Sequence, residues 1–143
     1  MQYCQRFTEN YYLCGATVGV QGVGEHTIDN FVSMANHQRA AVVMFVSDLE
    51  QGATVDLELL QATDAAGTDA KAIAGKAITQ ITEEGTRVVV EVRTEEMDVD
   101  NRFAYLGWNI TVGVGAATLA AIGFLGGTNQ AAVSTVNWDE IVD

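Results

Sequence analysis

The sequence predicts an all-β fold: a single antiparallel β-sandwich, jelly-roll-like or immunoglobulin-like, with extended arms at both ends. Two observations carry this. Apolar residues alternate at period two in several short runs. Turn-forming residues separate those runs at intervals of roughly ten residues, as in sandwiches and barrels. The chain contains no proline, so its turns rely on Gly, Asn and Asp. A length of 143 residues suits one domain with one core and needs neither disulfide nor metal to fold.

The elements follow in chain order. Residues 1–24 read as an N-terminal arm, with aromatics at Tyr3, Phe7, Tyr11 and Tyr12 and then the glycine-rich GATVGVQGVG. Thr8–Cys14 suits one helical turn with Thr8 as N-cap. The glycines from Gly19 to Gly24 have the wrong order for a phosphate loop, and no βαβ pattern surrounds them, so they read as a linker.

Residues 25–127 read as the sandwich. HTIDNFVSM, from His26, is its weakest strand. RAAVVMFVSDL (Arg39–Leu49) is apolar on both faces, which predicts a central strand covered on both sides. In TVDLELLQ, Val55, Leu57 and Leu59 alternate with Asp56 and Glu58. AIAGKAITQI is ambiguous and is expected to hold one short strand at Ala77–Ile81. In RVVVEVR, Val88, Val90 and Val92 face one way, with Arg87, Glu91 and Arg93 on the other. In YLGWNITVGV, Leu106, Trp108, Ile110, Val112 and Val114 share one parity. TLAAIGFL (Thr118–Leu125) is apolar on both faces, like the Arg39 strand. Residues 128–143, ending NWDEIVD, read as a C-terminal arm.

Charge excludes several classes of function. The net charge is −12, and Arg6, Arg39, Lys71, Lys76, Arg87, Arg93 and Arg102 form no cluster. Such a chain repels nucleic acid and anionic membranes, so no nucleic-acid or membrane partner is expected, and a basic protein patch is the natural one. The uncharged run from Phe103 to Trp138 is long enough to span a bilayer, but Asn109, Thr111, Thr118 and the alternation argue for strands. The opening MQYCQRFTEN lacks a basic segment followed by an apolar run, as a secretory signal has. Cys4 and Cys14 read as reduced thiols, with a disulfide between them left open.

The candidate chemistry is thin. EVRTEEMDVDN packs Glu95, Glu96, Asp98 and Asp100 together. An EF-hand register from Glu96 puts Asn101 where Gly belongs and Gly107 where Glu belongs, and one from Asp98 puts Arg102 at a ligand position. The stretch therefore reads as a solvated acidic bend between two strands, with Arg93 and Arg102 able to pair with its acids. His26 and His37 lack ligand spacing and read as loop histidines, and no GxSxG elbow is present. No catalytic, cofactor or metal site is expected, and no cofactor.

Three segments carry a resemblance: VSMANHQRA (32–40), LLQATDAAGT (59–68) and RTEEMDVDNRFAYL (93–106). Together with the rest of 27–127 they resemble small head-associated structural proteins of tailed bacteriophages, of the decoration or cement type. The resemblance implies a non-enzymatic virion protein on the capsid surface, made in the bacterial cytoplasm. Its partners would be the major capsid protein and neighbouring copies of itself. End-segment aromatics then become the expected contacts: Phe7, Tyr11, Tyr12 and Trp138. A neck, tail or head-fibre component is the alternative. Another is a carbohydrate-binding sandwich, for which Tyr105 and the Tyr11–Tyr12 pair are the hints.

Overall fold

The structure is a computed structural model and describes residues 11–127. Among the described residues nine strands form two antiparallel sheets: β1 (Tyr11–Gln21), β2 (Gly24–Thr27), β3 (Val32–Ser33), β4 (Arg39–Leu49), β5 (Thr54–Ala62), β6 (Lys71–Ala77), β7 (Arg87–Arg93), β8 (Tyr105–Gly113) and β9 (Ala117–Gly126). One sheet runs β1-β9-β4-β7, and the other runs β2-β8-β5-β6 with β3 also on β8. Both β2 and β3 pair antiparallel with β8, β2 along Asn109 to Val112 and β3 at Tyr105 and Leu106. They are therefore one strand interrupted at residues 28–31. Counted so, the eight-strand order is that of a jelly roll, with every successive pair of strands except β5 and β6 crossing between sheets. That excludes the immunoglobulin-like option.

The period-two runs do what their pattern requires. Leu106, Trp108, Ile110 and Val112 of β8 point into the sandwich and meet Val42, Met44 and Val46 of β4 and Leu119, Ala121 and Leu125 of β9. Trp108 is the largest fully buried side chain among the described residues. It crosses the core towards β1 and β9, where its Nε1–H donates to Thr17 Oγ1 at 3.3 Å. Gly123 makes the room: a Cβ there would lie 2.6 Å from the indole Cζ3 and 2.5 Å from Cys14 Sγ. Cys14 sits where the β1–β9 register shifts between Leu13 and Gly15, a bulge that turns its thiol inward.

Three expectations need correction. The N-terminal arm does not extend to residue 24: from Tyr11 the chain is β1, paired with β9 from Tyr11↔Gly126 to Gln21↔Ala117. That also removes the helical turn over its described part, Tyr11–Cys14, and turns the glycine linker into the β1–β2 corner. The short strand at Ala77–Ile81 is instead β6, Lys71–Ala77, whose Ile73 points into the core. After Ala77 the chain stays on β5 through Ile78 N–H to the Leu57 carbonyl (3.0 Å) and an isolated bridge from Ile81 to Val55. Finally, β4 is central in its sheet but is not covered on both sides. Val43 is 44% exposed and Phe45 42% exposed on its outer face.

Candidate interaction surface

Residues 32–40, 59–68 and 93–106 lie far apart in sequence and meet at one end of the sandwich. The β3–β4 loop joins the β7–β8 loop through Met34 N–H to the Ala104 carbonyl (2.8 Å), Thr94 N–H to the Gln38 carbonyl (3.0 Å) and Thr94 Oγ1–H to the His37 carbonyl (2.6 Å). The end of β5 joins the same loop: Asp98 N–H donates to Gln61 Oε1 at 2.7 Å. Gln61 is only 5% exposed, so its amide stiffens the loop from beneath. The β5–β6 turn is closed by Asp64, whose Oδ1 accepts from the backbone of Ala66 and Thr68, each at 3.0 Å. Phe31 then lies on the outside of the second sheet, seated on Gly107, where a Cβ has no space, and its N–H reaches the Ala65 carbonyl at 2.9 Å.

The acidic stretch is a bend of two single 3₁₀ turns, Thr94–Glu96 and Val99–Asn101, closed by Arg102 in the left-handed region at φ 69. Its carboxylates are engaged by the protein itself. Asp98 pairs with Lys71 Nζ at 2.6 Å and accepts from Asn101 Nδ2 at 2.8 Å. The Lys71 ammonium also sits 3.8 Å above the Phe103 ring. Glu96 accepts from the Arg93 backbone N–H at 2.8 Å and pairs with Lys76 Nζ at 2.9 Å. The Lys71 hydrogen bond, then that of Asn101, holds the Asp98 carboxyl below the usual carboxylate range. The Arg93 amide, then Lys76, does the same for Glu96. Glu95 makes a 3.4 Å contact to Arg93 that is open to water on both sides. Among the described residues no group of His, Cys, Asp and Glu is placed to hold a metal.

The expected pairing of Arg93 with this bend is present, whereas the sequence carries no sign of Lys71 and Lys76 as partners. Nothing local marks them: Lys71 lies 27 residues from Asp98, and only the placement of β6 beside the bend joins them. Of the expected contact residues, Phe7 and Trp138 lie outside the described residues. Tyr11 and Tyr12 belong to the same end but point opposite ways. The Tyr11 ring lies over Gly126 beside Arg39 on the outer face of the sheet. Tyr12 packs on the core and faces the His37 ring, centroids 6.0 Å apart. Burial lowers the His37 pKa, and its Nδ1 has no hydrogen-bond partner among the described residues. Tyr105 pairs with Ser33 and Ala62 in the second sheet, away from the Tyr11–Tyr12 pair, so the aromatic hints for a sugar platform do not align.

No family model matches the chain, and no curated protein matches it. Among solved structures, a chain of the Triatoma virus empty capsid superposes with a TM-score of 0.44 at 13% identity, covering 90% of this chain and 97% of that one. A chain of infectious bursal disease virus, Gx strain, gives 0.37 at 14% identity, covering 87% and 32%. A chain of Cocksfoot mottle virus gives 0.36 at 8% identity, covering 90% and 100%. Likeness at this level carries no functional argument; the jelly roll is established by the strand order itself.

Proposed function

We propose that this chain is a non-enzymatic structural protein of a phage head, of the decoration or cement type, binding the assembled major capsid protein. One observation supports this above the others. The three segments that resemble phage head proteins converge on one rigid end of a jelly roll, tied by Asp98–Gln61, Thr94–His37 and Met34–Ala104. Loops at the end of a sandwich are where recognition collects, because the sheets hold them without taking part. That end carries Glu95 and Asp100 in water, with Glu96 and Asp98 committed to lysines. An acidic rim suits a basic patch on a capsid subunit, and repetition over a symmetric lattice turns a weak contact into firm retention. Binding the assembled shell and not free subunits then stabilises the shell by mass action.

The test is co-sedimentation of the purified chain with shells made without it. Saturable binding in fixed ratio to the capsid subunit, with a raised shell melting temperature, is the expected result. Binding at a few sites per particle would point to a neck, tail or fibre part instead, and no binding would remove the proposal.

A further inference from the structure

In a chain of net charge −12, three of the seven basic residues line one cleft. Arg39, Lys76 and Arg93 border a cavity of about 540 Å³ at the end of the β1-β9-β4-β7 sheet where Tyr11 and Gly126 lie. Arg39 and Arg93 stand directly opposite each other on β4 and β7. The next pair along carries the hydrogen bond, Thr94 N–H to the Gln38 carbonyl, so the two arginines form the closer, non-hydrogen-bonded kind of pair. Like charges so placed repel each other.

The nearby acids do not fully offset this pair. Glu96 is taken by Lys76 Nζ at 2.9 Å and by the Arg93 amide at 2.8 Å. Glu95 reaches Arg93 only at 3.4 Å, with both side chains 74% exposed. Glu91 lines the cleft and offsets one charge, but among the described residues neither it nor Arg39 forms an ion pair. The wall beyond Arg39 is bare and aromatic. Gly126 lies beside Arg39 in register, the Tyr11 ring lies over it, and Phe124 is half-buried two positions back along β9.

We infer that the Arg39–Arg93 pair is a carboxylate site, and that its occupant is the chain's own segment 138–143, WDEIVD, turned back from Gly127. Charge, pattern and reach select this occupant. Residues 128–143 carry Asp139, Glu140 and Asp143 and no base. Residues 1–10, which join β1 beside the same cleft, carry Arg6 with Glu9, so their side chains bring no net charge. Trp138 directly precedes Asp139, so a ring and a carboxylate arrive together at a cleft with an aromatic wall and two guanidinium groups. The segment starts at the rim: a Cβ on Gly127 would lie 3.7 Å from Arg39 Cγ. The stretch from Gly127 to Asp139 can span up to about 40 Å, ample for the return. The tether holds the acids near the arginines at roughly millimolar effective concentration, where a modest contact is enough. None of this depends on what the chain binds.

A double-mutant cycle on the full chain, read by urea unfolding, tests it. Asp139→Asn/Glu140→Gln/Asp143→Asn should lower the folding constant about threefold more in the wild-type background than in the Arg39→Gln/Arg93→Gln background. A second measurement locates the segment. A spin label at Ile141→Cys, in a Cys4→Ser background, should broaden the amides of Arg39–Ala41 and Glu91–Arg93, and the triple acid variant should remove at least half of that broadening. An additive cycle overturns the inference, as does broadening that the acid variant leaves unchanged. Broadening that passes from spin-labelled copies to separate nitrogen-15-labelled copies also overturns it and gives the site to a neighbour's segment.

Discussion

The backbone amide of Asp98 donates to the side chain of Gln61 at 2.7 Å, joining residues 37 apart in sequence. Gln61 closes the inner end of β5 and Asp98 opens the second turn of the acidic bend. This contact decides whether the 94–104 loop is a shaped surface or a loose connection. Gln61→Leu should keep the core filled but leave a donor without its acceptor, at a cost of about 1–3 kcal/mol. Denaturant unfolding measures the loss, and faster amide exchange confined to the bend identifies its source.

Acid should weaken the same loop. The carboxyls of Asp98 and Glu96 are held below their ordinary range, by Lys71 and by the Arg93 amide respectively. A depressed carboxyl contributes stability that is complete above the unfolded pKa and is lost as pH falls through the folded value. Urea midpoints should therefore hold from pH 7 to about 5 and then fall. Lys71→Met should flatten that fall; an unaltered pH profile in this variant would show that the pair contributes nothing.

Cys14 is a structural thiol. Burial at the β1 bulge pushes its pKa up to about 12, far from the thiolate range in which cysteines react. In a Cys4→Ser background, a disulfide reagent at pH 8 should leave the folded chain unlabelled and label it promptly in denaturant. Rapid labelling of the native protein would mean that the β1 edge opens.

The Trp108 contact should tolerate no added bulk. Gly123→Ala forces a methyl into the indole and the Cys14 sulfur, which should cost about 1–3 kcal/mol by overpacking. Thermal unfolding followed by tryptophan fluorescence measures it.

Much of this fold was legible. β5, β7 and β8 carry period-two patterns because one side of each faces the core; the other side is open on β5 and β7, and on β8 it holds Gly107 beneath Phe31 and Asn109 beside Thr27. β1 was not legible, because its alternation is inverted: Ala16, Val18 and Val20 point outward, while the inward Thr17, Gly19 and Gln21 read as a glycine-rich linker. β6 was misplaced because Gly75, at φ 75, and small alanines give it little pattern beyond Ile73. The acidic bend was legible as a bend from its composition. Its partners Lys71, Lys76 and Gln61 were not, because only tertiary placement brings them within reach. The outward Phe45 shows the same limit from the other side: a strand apolar on both faces reads as covered on both, and the fold covers only one face of β4.

A cryo-EM map of intact particles that contain the chain tests the proposed capsid role most directly. The expected map shows jelly-roll density on the outer shell surface in fixed ratio to the capsid subunit, with the 32–40, 59–68 and 93–106 end turned to that subunit. Shell density without the jelly roll, or a jelly roll attached through the opposite end, would contradict it.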